Sequence, residues 1–171
     1  MMVRSQKLFS LLAGYTMMTV IVVTSASASV VGVTITPVFE AGDTHVFEAE
    51  NALLSDGFLV ETNHSGFTGS SFVNYVNEGY VEWAVNVAES GKFLFSFKYA
   101  LKYGDRPLDI IVNGAMVSLS TSFPSTGSWD KWGSISTEIM LNPGTNTIRA
   151  QTRGISGPNI DRLEVKMMVP D

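Results

Sequence analysis

The strongest constraint on the fold is a two-residue hydrophobic alternation in the middle of the chain. In the segment GYVEWAVNV, apolar side chains occupy every second position from Val81 to Val87. In the segment GKFLFSFKYAL, aromatic side chains do the same from Phe93 to Tyr99. Successive side chains on a strand point to opposite faces, so both segments are predicted to be half-buried β-strands.

Turn signals separate these strands from others of similar length. Asn113-Gly114 is the pair most typical of a tight hairpin, and Asn142-Pro143-Gly144 predicts a second turn. Later segments (ISTEIML, NTIRAQT and NIDRLEVKM) complete the set, and no convincing 3.6-residue period follows residue 28. Short strands at regular spacing predict an all-β sandwich of antiparallel sheets.

The N-terminal segment is predicted to be a targeting signal. Arg4 and Lys7 precede an almost continuous apolar run, which ends in the small residues SASAS. This order is typical of a secretory signal peptide over residues 1–28, although an uncleaved membrane anchor is the alternative. Residues 29–44 would then be a linker or an extra edge strand, and residues 45–169 the folded domain.

Charge and cysteine content narrow the function. Residues 29–171 contain nine Lys and Arg against sixteen Asp and Glu, and the chain has no cysteine. An acidic protein is a poor partner for nucleic acid or for anionic membranes, but neutral polymers and divalent cations are compatible with it. Without disulfides, an exported domain depends on core packing or on a bound ion.

The sequence gives little support to catalysis. The two histidines, His45 and His64, are not spaced as a metal pair, and no strand–turn–helix context for a nucleophilic serine is present. A pair of carboxylates could hydrolyse a glycoside, but a domain of this size leaves little material for a deep substrate cleft. We therefore expect a protein that is not an enzyme.

Two acidic segments are candidates for a metal site. In Phe47-Glu48-Ala49-Glu50, the two glutamates would share a face of a strand, and like charges held so close repel unless a cation or a basic group lies between them. Asp161 shares the apparent core face of the last segment, where an unpaired carboxylate would be costly. Asp161 could complete a cation site with the glutamates, or it could pair with an arginine while the glutamates are solvated.

Aromatic residues near loops are candidates for ligand contacts. Trp129 lies in the turn-rich segment FPSTGSWDKW, and Tyr103 lies in another predicted loop. A flat indole can cover the C–H face of a sugar ring, while polar side chains bind its hydroxyl groups. Asn159, Asp105 and Arg106 are the candidate polar partners, and a core role is the alternative for each tryptophan.

Taken together, these segments resemble carbohydrate-binding modules of families 6 and 35. The resemblance rests on segments in the family's order between Phe47 and Val165: FEAEN, SGFTGSSFV, GYVEWAVNV, GKFLFSFKYA, GDRPLDIIVNG, FPSTGSWDKW, LNPGTNTI and GPNIDRLEV. It implies a β-jelly-roll that binds carbohydrate and holds a structural calcium ion. Such modules usually accompany a glycan-degrading enzyme, which could here be a separate protein.

The resemblance also assigns residues. It implies calcium ligands at Glu48, Glu50 and Asp161, with backbone carbonyls from residues 67–71. The sugar contacts implied are Trp129, Asn159 and Phe72, where family 6 often has a tyrosine.

We therefore expect a secreted, or periplasmic, non-catalytic module that binds polysaccharide or oligosaccharide. The ligand-contacting residues predicted in total are Trp129, Asn159, Phe72, Tyr103 and Arg106. A structural or adhesion module without sugar binding, and a small glycan-active enzyme, are the alternatives.

Overall fold

The computed structural model describes residues 39–40, 42–154 and 156–169. The predicted signal peptide and residues 29–38 of the predicted lead-in segment lie outside the described residues. Phe39 is buried, and its ring contacts His45 at 4.0 Å and Phe93 at 5.5 Å between centroids. Among the described residues, no helix is long and apolar enough to span a membrane.

Eleven strands and one short 3-10 helix make up the described part of the fold. The strands are β1 (Thr44–Glu48), β2 (Leu53–Leu54), β3 (Leu59–Glu61), β4 (Phe72–Asn74), β5 (Tyr80–Val87), β6 (Gly91–Ala100), β7 (Leu108–Val112), β8 (Ala115–Thr121), β9 (Trp132–Leu141), β10 (Gly144–Thr152) and β11 (Asn159–Met167). The 3-10 helix, Ala49–Asn51, follows β1 directly.

The strands form two antiparallel sheets, which confirms the predicted β-sandwich of the jelly-roll type. One sheet has the order β3-β4-β11-β6-β9, with β1 also paired to β11, and the other has the order β2-β5-β10-β7-β8. The alternation read from the sequence holds, since Val81, Val85, Phe93 and Phe97 are all fully buried. Their side chains meet in one hydrophobic core between the sheets.

Both predicted turns are also confirmed. Asn113 and Gly114 join β7 to β8 with φ values of 50° and 78°, the left-handed geometry that a tight hairpin requires. The second turn leads from β9 in one sheet to β10 in the other, and Gly144 has a φ of 93°. The chain therefore changes sheets at a point that the sequence marks.

An irregularity in β11 positions one of the predicted site residues. The pairing of β11 with β6 shifts between Ile160 and Arg162, so Asp161 is the extra residue of a β-bulge. Bulges redirect side chains at functional edges of a sheet. Asp161 is fully buried, as its place in the sequence predicted. Ile160 beside it is also buried, so the simple alternation of buried and exposed residues does not hold at the bulge.

Candidate functional site

A cleft of about 390 Å³ lies where β3 and β4 end and β11 begins. The loop after β3 and the loops before β7 and β9 complete its walls. The lining residues are Glu61, Asn63, His64, Asn74, Tyr75, Val76, Arg106, Trp129, Ser156 and Asn159. An aromatic ring, amide groups, one carboxylate and one guanidinium therefore face the same space.

Trp129 is the partly exposed large aromatic side chain of this cleft, since Tyr75 is fully buried. It is half-buried and packs partly against the core, which holds its ring in place. The guanidinium carbon of Arg106 lies 5.6 Å from the centre of the ring, a cation–π contact. Its fixed ring leaves an apolar surface at the cleft, and such a surface can cover the C–H face of a sugar.

Polar groups surround this aromatic surface. Arg106 donates from Nη1 to the carbonyl oxygen of Gly157 at 2.9 Å, which fixes the guanidinium on the cleft wall. Asn74 donates from Nδ2 to Glu61 Oε2 at 2.9 Å, and Asn159 pairs with Asn74 across β11 and β4. Both donors and acceptors of hydrogen bonds are thus available to a ligand with several hydroxyl groups.

Three of the five residues predicted to contact the ligand line this cleft: Trp129, Arg106 and Asn159. Of these, Asn159 is only 2% exposed, so it lies in the cleft wall. Tyr103 is 71% exposed under the ammonium group of Lys102 and does not line the cleft. The candidate polar partner Asp105 instead binds the backbone N–H of Phe123 at 2.7 Å.

Phe72 does not fit the contact role predicted for it. Its side chain has no exposed surface, so it cannot stack on a bound sugar. Its ring packs instead against His64 at 5.8 Å and Trp132 at 5.5 Å. The aromatic position at the start of β4 therefore supports the cleft wall from inside.

Among the lining residues that the sequence did not identify are Glu61, Asn63, His64 and Asn74. Asn63-His64-Ser65 matches an N-glycosylation sequon, but no motif marks these residues as ligand contacts. They come from two short strands and a Gly/Ser-rich loop whose pairing depends on β11. His64 did stand out as one of only two histidines in the chain, although its place in a cleft was not predictable.

The loop that carries His64 is fastened by residues 129–132. Asp130 Oδ1 accepts the backbone N–H of Ser65 at 2.8 Å, and the indole N–H of Trp132 donates to the Ser65 carbonyl at 2.8 Å. Gly66 has a φ of 87°, and a Cβ there would lie 3.0 Å from Trp132 Cδ1. Trp132 thus braces this loop rather than entering the core or the cleft.

The predicted metal residues form a separate cluster around Gly69. Glu50 lies in the 3-10 helix and not on β1, so the expectation that both glutamates share a strand face was wrong. Their carboxylates nevertheless converge, because a Cβ on Gly69 would lie 2.9 Å from both Glu48 Cδ and Glu50 Oε1. Gly69, with a φ of 68°, lets the loop pass close to both carboxylates.

Asp161 is already well paired in this cluster. Its Oδ1 accepts the Thr68 N–H at 2.9 Å, and its Oδ2 lies 3.2 Å from both Lys98 Nζ and Arg162 Nη1. Arg162 also donates to Thr68 Oγ1. The arginine pairing expected as the alternative is therefore present, but the glutamates are not freely solvated as that alternative supposed.

The carboxylate oxygens of this cluster that lack a hydrogen-bond partner belong to the two glutamates. Glu48 Oε2 and Glu50 Oε2 are buried without a hydrogen-bond partner among the described residues. Burial, and after it the charges of Asp161 and Glu50, raise the pKa of Glu48. Among the described residues, no three Asp, Glu, His or Cys side chains are grouped closely enough to hold a metal by themselves. The backbone N–H groups of Ser70 and Ser71 donate to Glu50 Oε1, so the two unpartnered Oε2 atoms are the ones left for a hard cation.

A larger cleft of about 500 Å³ lies between β1 and β5. Its walls are mainly apolar, and its tryptophan, Trp83, is 3% exposed and belongs to the core. A ring buried to that extent has no face free for a sugar. The smaller cleft at Trp129 is therefore the better candidate for ligand binding.

Comparison with known proteins agrees with this arrangement. Residues 48–166 match the profile of the family described as carbohydrate binding module (family 6). An exo-beta-D-glucosaminidase from Amycolatopsis orientalis is 39% identical over 121 residues, which cover 68% of this chain and 12% of that enzyme. The chain thus spans about an eighth of the length of that curated relative.

Solved structures of carbohydrate-binding modules are also similar to this chain. A family 35 carbohydrate binding module from Clostridium thermocellum is 41% identical, with a TM-score of 0.69 over 72% of this chain and 97% of that one. The CBM35 from Paenibacillus barcinonensis is 40% identical, with a TM-score of 0.67 over 71% and 98%. The chain therefore belongs to the carbohydrate-binding modules of the family 6 and family 35 type.

Proposed function

We propose that this protein is a non-catalytic, exported module that binds polysaccharide or oligosaccharide in the cleft at Trp129. The observation that carries the proposal is the meeting of Trp129, Arg106 and Asn159 in one cleft. The indole covers the C–H face of a sugar ring, while the guanidinium and the amide bind its hydroxyl groups. Family membership supports carbohydrate as the ligand class.

The make-up of the cleft favours binding over catalysis. Of the described residues that line it, Glu61 alone carries a carboxylate, and that carboxylate is held by Asn74. Hydrolysis of a glycoside ordinarily needs two carboxylates on opposite sides of the scissile bond. The enzymes similar to this chain match it only over a small part of their own length, so their activities need not belong to this part.

Calcium is proposed as a structural ion at the Glu48–Glu50 cluster. The two glutamates would hold it, together with backbone carbonyls of residues 67–71. Bound there, the ion would offset the repulsion between these carboxylates and Asp161. It would tie the end of β1 to the loop before β4, and this is a role in stability.

Export is proposed from the N-terminal sequence. Residues 1–28 have the order of a secretory signal, and the glycans that such modules meet lie outside the cell. A partner in that setting would be a glycan-degrading enzyme, either on the same chain or separate from it.

The test is retention of residues 29–171 on xylan, mannan, β-glucan, chitosan and pectin. We expect binding to at least one polysaccharide and a loss of at least tenfold in affinity for Trp129→Ala, with unchanged circular dichroism. Leu119→Ala is the matched control, because Leu119 is 61% exposed on β8 and outside the cleft. Folded protein that binds none of the five would favour a structural or adhesion module instead.

A further inference from the structure

His64 occupies a position in the cleft that the proposed function leaves unexplained. Its side chain is 26% exposed and lines the cleft beside Glu61 and Asn63. Its ring lies at 26° to that of Trp129, with the centroids 6.1 Å apart. Phe72 supports the imidazole from the core side at 5.8 Å. The histidine and the tryptophan therefore present two nearly parallel rings to the same space.

Asp130 determines how the imidazole is presented. His64 Nδ1 lies 3.6 Å from Asp130 Oδ1, and the same oxygen accepts the N–H of Ser65 at 2.8 Å. The Ser65 N–H and, to a lesser degree, His64 lower the pKa of Asp130, which keeps this carboxylate charged. At 3.6 Å this contact is longer than a hydrogen bond, but it places Nδ1 on the Asp130 side of the ring and Nε2 on the other side.

The loop around His64 is preorganised for this role. Asp130 and Trp132 hold Ser65 from both its N–H and its carbonyl, so the neighbouring imidazole is placed by a fixed backbone. Binding a ligand then costs little ordering of the loop.

We propose that His64 is a ligand-contacting, specificity-determining residue of the sugar cleft, and that Asp130 is its positioning residue. The imidazole ring extends the apolar surface of Trp129, and Nε2 accepts a hydrogen bond from a sugar hydroxyl group. His64 and Glu61 together provide hydrogen-bond acceptors in the cleft, whereas the guanidinium of Arg106 provides donors. This inference rests on the proposed function, because it concerns the same cleft.

The experiment uses the two histidines of the chain as probe and internal control. Protein labelled with ¹⁵N in its imidazoles gives signals from His45 and His64 alone. His45 lies on β1 against Phe39, outside the cleft. Four-sugar oligosaccharides of xylan, mannan, β-glucan, chitosan and pectin are titrated into it at pH 8.

Binding of an oligosaccharide should shift the Nε2 signal of His64 and leave that of His45 in place. The His64 signals are identified by their loss in His64→Phe. That variant keeps a ring but not the acceptor, so its affinity should fall by about 2- to 12-fold, the usual range for one hydrogen bond. His64→Gln, which keeps a polar group near the Nε2 position, should recover part of the loss. Asp130→Asn should weaken binding and alter the Nδ1 signal before any ligand is added.

The outcomes separate this inference from the proposed function. An oligosaccharide that binds in a Trp129-dependent way, without a His64 shift and with equal affinity for His64→Phe, would overturn the inference alone. No binding by any of the five oligosaccharides or their parent polysaccharides would overturn the proposed function, and this inference with it.

Discussion

Replacement of Glu48 by glutamine should have opposite effects on stability with and without calcium. Glu48 and Glu50 each have a buried carboxylate oxygen without a hydrogen-bond partner among the described residues, and Asp161 lies close by. Without a cation, the charge on Glu48 is unfavourable in the folded state. Removing it should leave the melting temperature in chelator unchanged or raised. With calcium, the same substitution removes a ligand and should abolish most of the stabilisation.

The size of the calcium effect follows from binding linkage. Calcium at 100 times its Kd stabilises the folded state by about 2.7 kcal/mol. For a domain of this size, each kcal/mol shifts the melting temperature by roughly 3–6 °C. Chelator should therefore lower the melting temperature of the wild type by about 8–16 °C, and that of Glu48→Gln by only a few degrees.

The pH dependence of stability gives an independent check on whether the charge of Glu48 stabilises or destabilises the folded state. Burial and neighbouring charges raise the pKa of Glu48 in the folded state, so the protonated form is favoured there relative to the unfolded chain. The stability that this group contributes to metal-free protein is present at low pH and is lost as pH rises through the raised pKa. Calcium requires ionised carboxylates, so its stabilising effect should grow over the same rise in pH.

Differential scanning calorimetry in calcium and in chelator measures both effects. Glu89→Gln is the matched control, because Glu89 is an exposed acidic residue in the turn between β5 and β6. If Glu48→Gln lowered the melting temperature equally in calcium and in chelator, Glu48 would be a structural carboxylate and the reasoning would fail. A wild type that is insensitive to chelator would refute the calcium site itself.

Three further substitutions test other parts of the structure. Gly66→Ala places a Cβ 3.0 Å from Trp132 in a left-handed backbone conformation, which should lower the free energy of unfolding by about 1–3 kcal/mol. Titration calorimetry should also show weakened glycan binding. Unchanged affinity would contradict the role of Trp132 in holding the loop. Arg106→Ala removes the cation over Trp129 and should weaken binding by roughly 10- to 100-fold in the same assay, and a loss below twofold would remove Arg106 from the site. Phe97→Ala leaves a cavity at a fully buried position between Trp83 and Phe123. Urea unfolding should show a free energy of unfolding lower by about 3–5 kcal/mol. A decrease below about 1 kcal/mol would contradict this packing.

The fold was predictable because its strands carry strong local signals. The alternation from Phe93 to Tyr99 identifies a buried face without knowledge of the partner strands, and Asn113-Gly114 specifies its own turn. The sheet order was not predictable in this way, because neighbours such as β4 and β11 are far apart in the sequence.

The site was only partly predictable, for a similar reason. Trp129 was predicted to lie near a loop because its segment is rich in turn-forming residues, and it lines the cleft from the loop before β9. Phe72 was misassigned, because a short strand gives no indication of which face is covered, and the structure buries it completely. Asp161 was correctly placed in the interior, but the bulge that redirects it and its pairing with Lys98 depend on the register between β11 and β6.

Binding of glycan on Trp129 can be followed through the indole N–H signals of the three tryptophans. The oligosaccharide with the highest affinity is titrated into ¹⁵N-labelled protein, and the signals are assigned with single Trp→Phe variants. We expect the Trp129 signal to move with saturation behaviour while that of Trp83, buried in the core, stays in place. A saturating shift at Trp83 with no change at Trp129 would place the ligand in the cleft between β1 and β5 instead.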